Sequence, residues 1–147
     1  MSIMGPFIFL DTETTGMDPS RAQIIEVAAL IWKDGQIVER FESLINPHIP
    51  IPREIIMLTG ITDEMVKSAP NFTDVKEQLL SFLGDLPIVG HNIAFDTAFL
   101  RSHHCELKNP EIDTVSLARI LLRKEASYAL EVLMKKYELP LRNSHRA

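Results

Sequence analysis

The order in which two hydrophobic patterns occur along the chain constrains its fold more than any other feature. Nearly continuous apolar runs, typical of buried strands, come first, at 7–10, 24–32 and 37–45. Amphipathic helical stripes such as 75–83 come later. Strands first and helices alternating with strands later predict an α/β domain with a mixed sheet. Because Asp34-Gly35 is a hairpin-type turn, we expect the first three strands to be antiparallel neighbours.

Residue types at the ends of the helical stripes predict where the helices start. We expect Thr73 to cap the helix over 75–83, because its hydroxyl can accept a hydrogen bond from a main-chain N–H group. A second helix is expected from about 94 to 104. Asp113 or Thr114 is expected to cap a third helix.

Composition indicates an ordinary globular protein. A length of 147 residues suits one domain, and 46% apolar with 24% charged residues is typical of folded chains. The single Cys105 cannot form an internal disulfide bond, which favours a reducing compartment. Neither a signal peptide nor a membrane span is recognisable. We therefore expect a cytoplasmic protein with no membrane partner.

The charged residues are unevenly distributed. The net charge of −5 does not suggest a polyanionic partner, but two parts of the chain differ in charge. The first 100 residues carry 6 Lys+Arg and 14 Asp+Glu, whereas residues 101–147 carry 9 and 6. An acidic part suits metal ions, and a basic part suits phosphates. A solvated surface with uneven charge would look the same, so charge alone decides nothing.

Two carboxylates follow the first apolar run, in Phe9-Leu10-Asp11-Thr12-Glu13. Alternate side chains of an extended chain share a face, so Asp11 and Glu13 are expected to point the same way and Thr12 the opposite way. Carboxylate oxygens are ligands that suit Mg²⁺ or Mn²⁺. An ordinary turn and an aspartyl-phosphate nucleophile are the alternative interpretations of this pair.

Two later segments carry further candidate residues. His91-Asn92-x-x-Phe95-Asp96 directly follows a short apolar run, which predicts that Asp96 lies in the first turn of a helix. Asp96 could there serve only the helix dipole, Phe95 could pack in the core, and His91 and Asn92 could satisfy loop backbone groups. His145 lies near the end of the chain, and a lone histidine is usually structural or exposed.

Together, Asp11-x-Glu13, His91-Asn92-x-x-Phe95-Asp96 and the late His145 resemble the motifs of the DEDDh exonucleases, the DnaQ-like superfamily. Three more segments also resemble this family: 24–28, 58–62 and 113–119. The resemblance runs over residues 7–147 and is closest to the proofreading epsilon subunit and exonuclease domain of bacterial DNA polymerase III. It implies a ribonuclease H-like fold with a mixed five-stranded sheet flanked by helices.

The resemblance implies a catalytic role for four residues. Asp11 corresponds to a carboxylate that bridges two divalent metal ions, Mg²⁺ or Mn²⁺, and Glu13 to a ligand of one of them. Asp96 corresponds to an acid that supports the metal site largely through water. His145 corresponds to the general base that accepts a proton from the attacking water, which suits an imidazole near neutral pH.

The resemblance also implies a set of residues that contact the substrate. Thr14 and Thr15 are expected to border the terminal nucleotide, and Phe95 to stack on or wedge between bases. The remaining expected contacts are Leu58, Thr59, Gly60, His91 and Asn92. Glu26 and Asp113 are expected to have structural roles, Asp113 as a helix cap.

The implied function is metal-dependent 3′→5′ exonuclease activity that releases 5′-mononucleotides from single-stranded ends, in proofreading or repair. DNA is favoured over RNA as the substrate, and a DNA polymerase subunit is a candidate partner. A non-catalytic nucleic-acid-binding or polymerase-associated module is the main alternative. A phosphohydrolase of small molecules is a third interpretation.

The family pattern continues beyond the histidine to a final metal-ligating Asp, which would lie past Ala147. We therefore expect residues 1–147 to be a single exonuclease domain that is truncated, without its C-terminal helix, and weakly active. A naturally shortened and disabled relative is the alternative.

Overall fold

The computed structural model describes residues 5–140, which form a mixed five-stranded sheet flanked by helices, as predicted. The strands are β1 (Phe7–Thr14), β2 (Ile24–Lys33), β3 (Gln36–Leu44), β4 (Ile88–Gly90) and β5 (Glu111–Asp113). The helices in this range are α1 (Arg53–Thr59), α2 (Asp63–Val66), α3 (Phe72–Leu83), α4 (Ile93–Ser102), α5 (Thr114–Leu121) and α6 (Leu130–Lys136).

The strand order in the sheet is β3-β2-β1-β4-β5. β1 and β2 pair antiparallel, as do β2 and β3, which confirms the predicted meander. The turn between β2 and β3 uses Asp34 and Gly35, both at positive φ, as a hairpin turn of this length requires. β4 pairs parallel to β1, and β5 parallel to β4, so the carboxyl ends of these three strands lie along one edge of the sheet.

The two faces of β1 differ in their surroundings. Ile8 and Leu10 are buried in the main core, whereas Phe9 and Asp11 on the opposite face are exposed. The core beneath Ile8 and Leu10 is closed by side chains of α3 and α4, among them Leu79 and Phe99. Period-two alternation along β1 therefore directs Ile8 and Leu10 inward, and Phe9 and Asp11 outward.

A β-bulge interrupts the pairing of β1 with β2 near the carboxyl end of β1. Glu13 pairs with Glu26 and Thr14 pairs with Ile24, which leaves Ile25 as an extra residue on β2. Ile25 is fully buried in a second apolar cluster with Ile51, Ile61 and Val66, beneath α1 and α2. Bulges of this kind bend a strand and redirect side chains, and they are frequent beside active sites.

The helix starts agree only partly with the sequence prediction. Asp113 caps α5 by accepting a hydrogen bond from the Val115 N–H (3.1 Å), as expected. The predicted cap at Thr73 is wrong, because the N-cap lies two residues earlier, at Asn71, and α3 begins at Phe72. Asp74 accepts a hydrogen bond from the Asn71 N–H, so this capping pair fixes the start. None of the helices between residues 5 and 140 has the length and apolar character needed to cross a bilayer.

A compact turn joins β4 to α4. A Cβ atom on Gly90 would lie 2.5 Å from Ile93 Cδ1 and 3.1 Å from the main-chain oxygen of Leu10. Asn92 adopts the left-handed backbone conformation, with φ of 63°, and its N–H donates to Asp113 Oδ1 at 2.8 Å. This close approach brings the first turn of α4 directly beside β1.

We expect Gly90→Ala to destabilise the fold by roughly 1–3 kcal/mol, because the added methyl group overpacks the junction of β1 and α4. Urea unfolding would measure this loss. Gly5→Ala is the matched control, since a Cβ at Gly5 meets nothing within 4 Å. Equal unfolding midpoints for the two variants would contradict this explanation of Gly90.

Candidate active site

Asp11 and Glu13 lie on the face of β1 that points away from the main core. Asp11 is exposed and Glu13 is half-buried, whereas Thr12 between them is buried on the opposite side. This alternation confirms the predicted orientation of the two carboxylates. Glu13 lies directly across from Glu26, a fully buried residue of β2.

Asp96 lies in the first turn of α4 and is only 4% exposed. Its Oδ1 accepts a hydrogen bond from the main-chain N–H of Thr12 at 2.8 Å and another from the Thr12 hydroxyl at 2.7 Å. The two bonds fix the carboxylate against β1 at the position where the acidic residues begin. A buried carboxylate is tolerated only when such donors satisfy its oxygens.

The environment of Asp96 makes its carboxyl group an unusually weak acid. Burial raises the pKa of Asp96 from 3.8 to about 7, because removal from water disfavours the charged form. The two hydrogen bonds from Thr12 act in the opposite direction, and the negative charge of Asp11 raises the pKa further. In the absence of a cation, Asp96 is thus about half protonated near neutral pH.

The structure brings Asp11 and Asp96 close enough for their charges to interact, although they are 85 positions apart in sequence. Among residues 5–140, no three side chains of His, Cys, Asp or Glu are near enough to enclose a metal ion together. Two carboxylates that repel each other at a strand end do fit a divalent cation, because its charge would favour ionised oxygens in both. Glu13, on the same strand face as Asp11, could supply a further oxygen.

Thr14 and Thr15 are buried, and their hydroxyls shape the loop that follows β1. The Thr14 hydroxyl donates to the main-chain oxygen of Gly16 at 2.6 Å. The Thr15 hydroxyl accepts from the Gln23 N–H at 2.9 Å, and the Thr15 N–H donates to the Gln23 carbonyl at 2.8 Å. The loop is thereby closed beside the acidic residues, and the prediction that both threonines contact substrate is untested.

Leu58, Thr59 and Gly60 form the end of α1. Leu58 is half exposed, whereas Thr59 is buried and its hydroxyl both donates to the Ile55 carbonyl and accepts from the Ile61 N–H. Gly60 has a φ of 74°, the left-handed conformation that ends a helix and that glycine adopts without strain. Leu58 is therefore the residue of the three whose side chain is available to a ligand.

The side chains of His91 and Phe95 both contact other residues of the protein. His91 Nδ1 lies 2.9 Å from the Thr114 hydroxyl, and His91 Nε2 lies 2.8 Å from the main-chain oxygen of Tyr128. Phe95 is half-buried against Phe99, with ring centroids 4.9 Å apart. We expected His91 to satisfy a backbone group of a loop, and its contact with the Tyr128 oxygen agrees with this expectation. Contact of this segment with substrate remains a prediction.

His145 lies outside the described residues, so its predicted role as general base is not tested by the geometry. The sequence prediction did not include Thr12 as a site residue. The sequence did indicate Thr12 indirectly. A hydroxyl on the inward face of an apolar strand is buried and needs a hydrogen-bond partner. The contact of His91 with Tyr128 had no signal in the sequence, since a main-chain acceptor has no residue type.

We expect Asp96→Asn to stabilise the metal-free protein at pH 8 by roughly 1–4 kcal/mol, since each pKa unit corresponds to about 1.4 kcal/mol. A carboxyl whose pKa is higher in the folded than in the unfolded chain contributes stability that is complete below pH 3.8 and is lost as pH rises through about 7. Asparagine does not ionise, so the Asp96→Asn variant does not lose this stability as pH rises. Urea unfolding in EDTA between pH 4 and pH 8 would measure the difference.

The stabilisation by Asp96→Asn is expected to shrink as pH falls, because protonated aspartic acid and asparagine are both neutral. Asp85→Asn is the control, since Asp85 is exposed, and it should keep the pH dependence of the original chain. An Asp96→Asn variant whose stability declined with pH as steeply as that of the Asp85→Asn variant would refute the assignment.

Sequence comparison relates the chain to known proteins. A sequence model of the Exonuclease family, RNase_T, matches residues 8–147. The PolC-type DNA polymerase III of Halalkalibacterium halodurans is 41% identical over 146 residues, which are 96% of this chain and 10% of that protein. The corresponding protein of Bacillus subtilis is 40% identical over 147 residues with the same coverage. The chain thus spans about a tenth of the length of these relatives.

Two solved structures have the same fold. Exonuclease X in complex with 5′ overhanging duplex DNA is 30% identical, with a TM-score of 0.76 over 92% of this chain and 75% of that chain. The zinc-bound E. coli ExoI–ssDNA complex is 22% identical, with a TM-score of 0.80 over 98% of this chain and 37% of that chain. These likenesses confirm the predicted ribonuclease H-like fold and the predicted family resemblance. The chain belongs to the Exonuclease (RNase_T) family.

Proposed function

We propose that this chain is a single exonuclease domain that removes mononucleotides from the 3′ end of single-stranded DNA in a metal-dependent reaction. The observation that carries the proposal is the pair of Asp11 in β1 and Asp96 in α4, two carboxylates whose charges interact where the first turn of α4 meets β1. Thr12 holds Asp96 in a buried position, and the burial raises the pKa of Asp96. Buried acids with a raised pKa are concentrated at functional sites, which favours a functional role for Asp96 beside its structural one.

Two divalent cations, Mg²⁺ or Mn²⁺, are proposed as cofactors. Asp11 and Glu13 would bind them directly, and Asp96 would support them through water. The bound ions supply positive charge that stabilises the attacking and leaving oxygens of a phosphodiester during displacement. Thr12 keeps Asp96 oriented for this role whether or not the carboxyl group carries a proton.

The chain's own residues suggest how a strand end is received. The half-exposed Leu58 at the end of α1 offers an apolar surface to a base, and the half-buried Phe95 of α4 offers part of its ring. Contacts of this kind tolerate any base, because every base has an apolar face. Thr14, Thr15, Thr59, Gly60 and Asn92 would complete the surroundings of the terminal nucleotide, mainly by shaping the loops.

Single-stranded DNA is the proposed substrate because the related structures were solved with DNA: Exonuclease X with 5′ overhanging duplex DNA and ExoI with ssDNA. RNA is the alternative. A DNA polymerase is the proposed partner, because the relatives at 40–41% identity are PolC-type DNA polymerase III proteins. The proposed process is therefore proofreading or repair.

Asp11→Asn is expected to abolish hydrolysis, because it removes a charged ligand while changing few atoms. The assay uses 5′-labelled single-stranded DNA and RNA of equal sequence, with Mn²⁺ or with EDTA, and resolves the products on a denaturing gel. A ladder that shortens from the 3′ end, and is lost with EDTA and with Asp11→Asn, is the expected result. Comparison of DNA with RNA gives the preferred sugar.

Glu39→Gln on the exposed strand β3 is the matched control for loss of one carboxylate. It should leave the ladder unchanged. Hydrolysis that survived Asp11→Asn would contradict the metal assignment. Binding of labelled DNA with no cleavage under any of these conditions would fit both a truncated enzyme and the non-catalytic binding module, and the same gel on a chain extended past Ala147 would choose between them.

His145→Ala is expected to lower kcat by about 10²–10⁴-fold with a smaller effect on KM, the usual contribution of general base catalysis. The acid limb of the pH–rate profile should disappear, because the group that must lose a proton has been removed. His104→Ala is the control, since His104 is an exposed histidine at the end of α4. An unchanged pH–rate profile in His145→Ala would exclude His145 as the base.

A further inference from the structure

The side chain of His91 connects two parts of the protein that are far apart in sequence. It follows β4, and its ring is half-buried between the start of α5 and the loop at 122–129 that leads to α6. We propose that His91 is a positioning residue, which fixes this loop and α6 against the β4–α4 turn through its hydrogen bond to the Tyr128 carbonyl. The functional part of this inference rests on the proposed exonuclease function.

The chemistry of the partners determines what each ring nitrogen does. The main-chain oxygen of Tyr128, 2.8 Å from His91 Nε2, can only accept, so Nε2 carries the hydrogen. In the neutral ring Nδ1 then accepts from the Thr114 hydroxyl, 2.9 Å away. The Thr114 hydroxyl also lies 3.2 Å from the Gly90 carbonyl, but its single hydrogen is donated to only one of these two acceptors at a time. Both nitrogens are thus engaged within the protein.

The connection matters because α5 and α6 have few buried side chains. No residue of α5 is fully buried, and Leu133 is the buried residue of α6 in the described range. Because little apolar burial fixes the orientation of α5 and α6, directional hydrogen bonds contribute more to that orientation. The His91–Tyr128 bond is such a contact between this part of the chain and the turn that carries Asp96.

Tyr128 passes the connection on to its neighbours. Its hydroxyl donates to the Leu122 carbonyl at 2.7 Å, and the Arg119 guanidinium lies over its ring at 5.9 Å. Ala129 directly follows Tyr128 and is the N-cap of α6. A shift of the Tyr128 carbonyl would therefore move the start of α6, and α6 leads to Pro140, five positions before His145.

The neighbouring carboxylate of Asp113 anchors the same turn from its other side. Asp113 accepts hydrogen bonds from the Asn92 N–H at 2.8 Å and from the Ser116 hydroxyl at 2.9 Å. These bonds hold the pKa of Asp113 below its ordinary value, against the opposing effect of burial. Asp113 joins the turn to α5, whereas His91 joins it both to Thr114 at the start of α5 and to the loop before α6.

The test compares His91→Gln with His91→Asn. The glutamine amide nitrogen can occupy the position of Nε2 and keep the bond to Tyr128, whereas the shorter asparagine amide reaches only the position of Nδ1. We expect His91→Asn and His91→Ala to lower kcat by up to about 100-fold with KM nearly unchanged, as for a displaced catalytic group. His91→Gln should retain most of the activity, and His104→Gln is the control.

Amide hydrogen exchange gives a second measurement that does not need activity. In His91→Asn and His91→Ala, the amides of Leu133 and Tyr137, which bond within α6, should exchange faster, whereas those of β1 and β2 should not change. His91→Gln should exchange like the original chain. If the original chain had no nuclease activity, the proposed function would fail, and this exchange comparison alone would decide the role of His91.

Two results would overturn the inference. A rise of KM with kcat unchanged, together with unaltered exchange in α6, would mean that His91 contacts substrate instead. Equal impairment of the glutamine and asparagine variants, with equal exchange in α6, would mean that the bond to Tyr128 does not position this part of the protein.

Discussion

The paired hydrogen bonds from Thr12 to Asp96 are the interaction on which the arrangement of the site depends. They join the main chain of the central strand β1 to the first turn of α4, across a parallel strand pair, and they involve a carboxylate that is almost fully buried. Gly90 permits the close approach, and Asn92 permits the turn. The two hydrogen bonds offset part of the free-energy cost of burying the charged acid. The part that they do not offset raises the pKa of Asp96.

This arrangement divides the work between rigid and exposed parts of the protein. The sheet and the two helices that cover its core face hold Asp96, whereas Asp11 stands on the open face of the same strand. The loops around them are closed by hydroxyls and by capped helix ends, as Thr14, Thr15 and Thr59 illustrate. A site built on strands and helices in this way is positioned more precisely than a site built on loops.

The sequence predicts those features that depend on local periodicity and on residue type. Alternation along β1 predicts that Asp11 and Glu13 share a face, and the apolar run before His91 predicts that Asp96 lies in the first turn of a helix. The short helices α1 and α2 and the three-residue strand β5 were not predicted, because segments of this length contain too little periodicity. The true cap of α3 was missed because Asn71 and Thr73 are both suitable residue types, and the hydrogen bond from the Asn71 N–H to Asp74 decides between them. The contact between Asp11 and Asp96 could not be derived from spacing and depended on the family resemblance.

The bulge at Ile25 makes β2 one residue longer than the part of β1 that it accompanies. Loss of one residue there would regularise the pairing, but it would also remove the side chain that fills the second apolar cluster beneath α1 and α2. Addition of a residue to the Asp34–Gly35 turn, in contrast, would change only an exposed end of the sheet. The length of this chain can therefore change at the hairpin without loss of a core side chain, whereas deletion of Ile25 would leave a cavity beside the strand that carries the carboxylates.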